Sequence, residues 1–102
     1  MTSPFLLSTW SFSEPILESE YPNLSAGCSA LDAVEACVRN AEQDESIDSV
    51  GFGGLPDRNG NCTFDAMVMT SPSSSGAVCG IERHLHPVSI ARLVMEKTKH
   101  TL

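Results

Sequence analysis

The chain has 102 residues, room for one domain and a modest core, since a chain of this size buries roughly two thirds of its unfolded surface. It is 41% hydrophobic and 19% charged, with 7 Gly and 6 Pro, which excludes collagen, coiled-coil and low-complexity classes. Its net charge is −7, from 13 acids against 6 bases, with no Lys or Arg before Arg39. Such a surface disfavours nucleic-acid backbones and anionic membranes as partners.

No apolar run approaches the ~20 residues of a membrane helix. The opening Met1–Leu7 carries no basic residue and only a short apolar stretch, unlike a secretory signal, so a cytoplasmic location is expected. Phe5-Leu6-Leu7 reads as a short buried strand ending at Ser8-Thr9-Trp10. Trp10 and Phe12 follow it. Two aromatics at a strand exit read first as core or lid, and second as one wall of a ligand site. From Ser13 to Gly27, Leu17, Tyr21 and Leu24 share a helical face, but Pro22 removes a backbone donor inside it. A broken or kinked helix is expected, with Gly27 near its C-terminal cap.

Ser29-Ala30-Leu31-Asp32 is a helix start in which Ser29 caps and Asp32 reaches back. Leu31, Val34, Ala36, Cys37 and Val38 continue as its stripe. The acidic run Glu42–Asp48 is expected to end the helix as a solvated turn. It lacks the EF-hand spacing and glycine of a calcium loop. Val50–Leu55, with Gly51, Gly53 and Gly54 around Phe52, reads as a strand or tight loop in which backbone packs closely. No G-x-x-x-x-G-K-[ST] or G-x-G-x-x-G spacing makes it a phosphate loop. Pro56–Gly60 is a turn, and Cys62–Met69 a strand pairing back onto the preceding segment as a hairpin. Ser71–Ser75 reads as a polar loop, and Gly76–Ile81 as a short buried strand. Pro87 opens a last helix whose stripe is Val88, Ala91, Val94 and Met95. The chain stops soon after it, as an incomplete domain would. Elements of this kind indicate an α+β or α/β layered fold, with too few elements to cover the strands on both faces.

The four cysteines, Cys28, Cys37, Cys62 and Cys79, form no C-x-x-C. Reduced thiols, mostly small buried hydrophobes, are expected, with a disulfide framework as the alternative. No motif around any cysteine supports Cys–His catalysis with His84, His86 or His100. His84-x-His86 alone is weak as a metal pair. Neither a metal nor a cofactor is expected.

Several blocks together resemble a known family. Ser8–Phe12, Gly27–Glu35, Asp48–Asp57, Gly60, Thr63–Met69, Gly76–Val78, Ala91–Glu96 and His100–Leu102 are similar, in order and spacing, to the front of asparaginase type 2 enzymes. The family comprises glycosylasparaginases and isoaspartyl peptidases with asparaginase activity. It resembles an N-terminal nucleophile hydrolase with an αββα sandwich, so residues 1–102 would be an incomplete single domain, a partial sandwich of α+β class. The resemblance implies a precursor that cleaves itself at an Asp-Thr followed by Ile or Val and Gly. The freed threonine hydroxyl then attacks the side-chain amide carbon of a substituted asparagine, its own α-amine taking the proton. An oxyanion hole stabilises the intermediate, and water releases aspartate. This sequence contains no such Asp-Thr, so catalytic residues are expected outside it and the chain alone is expected to be inactive.

By the same resemblance Trp10 lines the substrate funnel and Phe12 is its aromatic neighbour. The loop holding Gly53, Gly54 and Asp57 is structural and buttresses the nucleophile region. Partners implied are the enzyme's own β-subunit or remaining chain, a homodimer of αβ units, and a small glycosyl-asparagine or asparagine-type substrate. Sodium held by backbone carbonyls in related plant-type enzymes transfers weakly, because the loop sequence differs. The sequence departs from the family at Met69-Thr70-Ser71, where Met-Asp-Gly is usual, and at Pro15 and Pro22 in the first helix. It also has one extra residue before Gly27 and lacks the paired cysteines of the animal enzymes. Ser-Val-Gly-Phe-Gly-Gly and Trp10 favour the glycosylasparaginase branch over isoaspartyl peptidases. A non-catalytic piece that only packs with a partner is the alternative of another class. Unpartnered apolar strands predict self-association.

Overall fold

A computed structural model describes residues 3–102. A 3-10 turn at Ser11–Ser13 leads into helix α1 (Glu14–Ser25), followed by α2 (Ala30–Gln43). A second 3-10 turn at Gly51–Gly53 precedes strands β1 (Phe64–Ser71) and β2 (Ser74–Ile81), and α3 (Pro87–Lys97) closes the order. The class is α+β.

Helix α2 starts as its sequence dictates. The Ser29 hydroxyl accepts from the Asp32 amide at 3.0 Å, satisfying one of the orphan donors of the first turn. Asp32 does not complete the reciprocal cap. Its carboxylate instead accepts from Arg92 of α3 at 2.6 Å, and that guanidinium also reaches Glu35 at 3.1 Å and Glu96 at 3.1 Å. One cation thus ties two helices at their shared surface.

β1 and β2 form one antiparallel hairpin, with Val68 opposite Gly76 and Ala66 opposite Val78. These side chains face α3. Val68, Val88 and Ala91 are the buried centre, with Leu31, Ala66, Val78 and Met95 packed around it. Gly76 is required there: a Cβ would overlap the Ala91 carbonyl and the Met95 backbone, so α3 lies against bare strand backbone. Met67 and Met69 point to the other face and are 56% and 54% exposed. The described residues measure only 17 Å along the shortest axis, about one helix laid on one sheet.

Five expectations are corrected. Phe5-Leu6-Leu7 is not a strand; Phe5 and Leu7 are exposed, and no strand pairs with the segment, so its ladder groups have no template. Of the two forms expected for Val50–Leu55, the tight loop is the one found, with a 3-10 turn at Gly51–Gly53 and Gly51 at φ +60, but the segment does not pair with β1 as the expected hairpin required. The partner of β1 is β2, and the expected polar loop Ser71–Ser75 shrinks to a two-residue turn, Pro72-Ser73. Helix α1 is not broken at Pro22. The proline lies in the last turns and its own carbonyl still accepts from the Ala26 amide at 2.9 Å. Gly27 follows at φ +113, as a terminating glycine should. The cysteines are unpaired, but none is fully buried, and Cys79 is exposed.

Candidate functional site

Trp10 is held in backbone geometry that only glycine adopts freely, φ +69 and ψ 139. Such a conformation costs on the order of 1–3 kcal/mol in a non-glycine residue and survives only where its surroundings enforce it. Here the enforcing contacts come from the adjacent turn. The Ser13 amide donates to the Trp10 carbonyl at 3.2 Å. The Ser13 hydroxyl lies 2.7 Å from that same oxygen and 3.0 Å from the Thr9 carbonyl.

The result is an indole that is 78% exposed at the mouth of an apolar cleft of about 280 Å3. Phe12, Leu17, Val50, and Val38 and Ala41 of α2 line it together with Ser8 and Thr9. No charged side chain lines it. Cys37 also borders the cleft. Burial, and then the Glu20 carboxylate, push its thiol above the ordinary range, so it stays protonated and is a poor nucleophile.

A second, more polar concavity of about 380 Å3 adjoins the first, sharing Val38 and Val50 with it. Glu42 borders it and is 3% exposed. The expectation of a solvated acidic turn therefore fails at Glu42, although Asp44, Glu45 and Asp48 are exposed. The Glu42 carboxylate accepts from the Val88 amide at 3.1 Å and lies 3.3 Å from His86 Nδ1. It caps the N-terminus of α3 from a distant element, accepting from the free Val88 amide of the first turn, which the His86 side chain does not cap. Burial raises its pKa, against the lowering effects of Val88, His86 and Arg39. His86 is thereby committed to Glu42, and no histidine–cysteine hydrogen bond occurs among the described residues. Nor does any group of three metal-ligating side chains gather among them.

Trp10 and Phe12 thus share one cleft. Gly53, Gly54 and Asp57 do not line it. They form the loop beyond Val50, where a Cβ at Gly53 would overlap the carbonyls of Glu45 and Ile47, and one at Gly54 the Phe64 ring. Asp57 closes the next turn by accepting from the amides of Asn59 and Asn61 at 2.8 and 3.0 Å. Sequence reasoning missed Val38, Val50 and Ser13 as cleft-forming residues. The first two reach the cleft only through tertiary packing, whereas Ser13, three residues after Trp10, matches the spacing of a local hydroxyl-to-carbonyl bond.

The asparaginase type 2 family model, described as Asparaginase, matches residues 7–102. The chain belongs to the asparaginase type 2 family. Among its relatives in that family, the N(4)-(beta-N-acetylglucosaminyl)-L-asparaginase of Elizabethkingia miricola is 46% identical over 99 residues, covering 97% of this chain and 29% of that protein. The Mus musculus protein of the same name is 41% identical over 100 residues, again covering 97% of this chain and 29% of the relative. An isoaspartyl peptidase/L-asparaginase of Mus musculus is 43% identical over 81 residues, 78% of this chain and 24% of that protein. The chain therefore spans less than a third of the length of these asparaginase-family relatives. No helix among the described residues is long and apolar enough to cross a membrane.

Proposed function

We propose that this chain supplies the front of the α-subunit of a glycosylasparaginase-like amidohydrolase, with Trp10 and Phe12 forming part of its substrate wall. The carrying observation is the exposed Trp10 indole, locked at the mouth of an uncharged cleft. An aromatic face left in water at a conformational cost suits a ligand surface better than a core. A sugar-bearing asparagine presents such a surface through the apolar face of its ring. Two asparaginase-family relatives named for glycosylated asparagine are 46% and 41% identical over 97% of this chain, whereas two isoaspartyl peptidase/L-asparaginase relatives are 43% identical over 78% and 36% identical over 94%. That difference favours the glycosyl-asparagine reading over the isoaspartyl peptidase/L-asparaginase reading.

In this proposal the nucleophilic threonine, its amine base and the groups holding the substrate carboxylate lie outside these 102 residues. Arg39 and Arg92 are not available for that carboxylate, because Arg39 donates to Ser89 at 2.7 Å and Arg92 serves three carboxylates. The loop of Gly53, Gly54 and Asp57 buttresses the region of the nucleophile. The open face of β1 and β2 receives the second sheet of an αββα sandwich contributed by the remaining polypeptide, and αβ units pair as dimers.

The chain assayed alone on N-acetylglucosaminyl-asparagine is expected to release no aspartate. Joined to a polypeptide carrying an Asp-Thr followed by Ile or Val and Gly, it is expected to yield turnover. Aspartate release by the isolated chain would overturn the reading.

A further inference from the structure

We infer that Ser13 is a positioning residue that sets where the Trp10 indole stands, and so tunes the grip of the cleft on its ligand. The inference rests on the substrate-wall reading of Trp10. A hydroxyl carries one proton. Ser13 Oγ is closer to the Trp10 carbonyl, at 2.7 Å, than to the Thr9 carbonyl, at 3.0 Å, so the Trp10 carbonyl takes the larger share. Ser8 Oγ also lies within hydrogen-bond distance of Ser13 Oγ. With the Ser13 proton given to Trp10, Ser8 is the donor in that contact. The bonds thus run in one direction, Ser8 to Ser13 to the Trp10 carbonyl, and each polarises the next.

The Ser13 amide donates to the same carbonyl at 3.2 Å. Two donors from one residue therefore converge on the oxygen of the only described non-glycine residue with positive φ. Without the hydroxyl, the amide alone must hold a backbone that tryptophan otherwise avoids. Relaxation of φ to negative values would swing the indole out of the cleft it lines with Phe12. No core contact opposes that swing, since the ring is largely in solvent.

The chain has a single tryptophan, so its indole fluorescence reports Trp10 alone. Ser13→Ala is expected to lower the fluorescence anisotropy and raise acrylamide quenching, with unchanged far-UV dichroism. Ser13→Thr, which keeps the hydroxyl, is expected to restore wild-type values. Ser8→Ala should show a smaller shift in the same direction. In the αβ enzyme carrying this chain, Ser13→Ala should raise KM for N-acetylglucosaminyl-asparagine about fivefold, the loss of one net hydrogen bond, with kcat within about twofold. Unchanged fluorescence in Ser13→Ala overturns the inference whatever Trp10 binds. If Trp10→Ala raises KM but Ser13→Ala does not, the inference is overturned while the substrate role of Trp10 stands; if fluorescence changes and Trp10→Ala also leaves KM unaltered, the substrate-wall reading is what falls.

Discussion

Glu42 shows how one side chain takes its meaning from a partner far along the chain. Its carboxylate replaces water with the Val88 amide and the His86 ring. Removing it leaves a buried donor without an acceptor. Glu42→Ala is expected to destabilise the fold by about 1–3 kcal/mol, read from urea midpoints, and Glu42→Gln, which keeps an acceptor, by less. The pH dependence carries a sign. Burial raises the Glu42 pKa above its ordinary 4.5, against His86 and Arg39, so the folded chain holds this proton more tightly than the unfolded one. Its contribution is fully present below pH 4.5 and is lost as pH rises through the folded value. Asp32, held by Arg92 and then Ser29 below its ordinary 3.8, acts oppositely: its stabilisation is present above 3.8 and disappears as pH falls through the lowered value. In Glu42→Gln only the acid-side loss should survive. A midpoint that still declines from pH 4.5 upward in that variant would assign the effect to another group.

Among the elements, the Gly51–Gly53 turn illustrates the difference between a glycine that is permitted and one that is demanded. Gly51 has φ +60, and an added Cβ would fall into the backbone of Glu42 at the end of α2. Gly60 also has positive φ, at +83, but has open space around it. Gly51→Ala should therefore cost on the order of 3 kcal/mol, and Gly60→Ala about 1 kcal/mol, by denaturant titration. Equal losses would mean that the turn does not depend on its contact with α2. The contact explains why this segment forms no strand. Its backbone is committed to α2, which leaves β1 free to pair with β2, the nearer neighbour in sequence and one joined by only two residues.

For the molecule as a whole, a single layer of helices on one hairpin leaves much apolar surface in water. Met67 and Met69 on the open face of the sheet are each more than half exposed, as are Phe52 and Leu55 in the glycine loop. Exposed apolar side chains in such number drive association. The isolated chain is expected to sediment as concentration-dependent oligomers, and paired Met67→Lys and Met69→Lys substitutions to shift it toward monomer. A single sharp monomeric boundary for the unmodified chain would show that this face is tolerated in water.

Local chemistry was legible wherever the partner of a group lies within a few residues. Ser29 capping α2, Gly27 ending α1 at positive φ and Pro87 opening α3 each follow from the bond geometry of one turn. The block matches that mark the asparaginase type 2 family are likewise a property of residue order, and they directed attention to Trp10 and Phe12 without reference to their packing. Glu42, Val38 and Val50 were not legible. An acidic residue near a helix end reads as solvated until another helix brings it a donor, and an aliphatic residue on a stripe reads as core until the fold leaves its face open. The same holds for the strand that never formed at Phe5–Leu7. Apolarity makes a segment suitable for burial, but burial itself requires a surface supplied from elsewhere in the chain, and that supply depends on packing between residues distant in sequence.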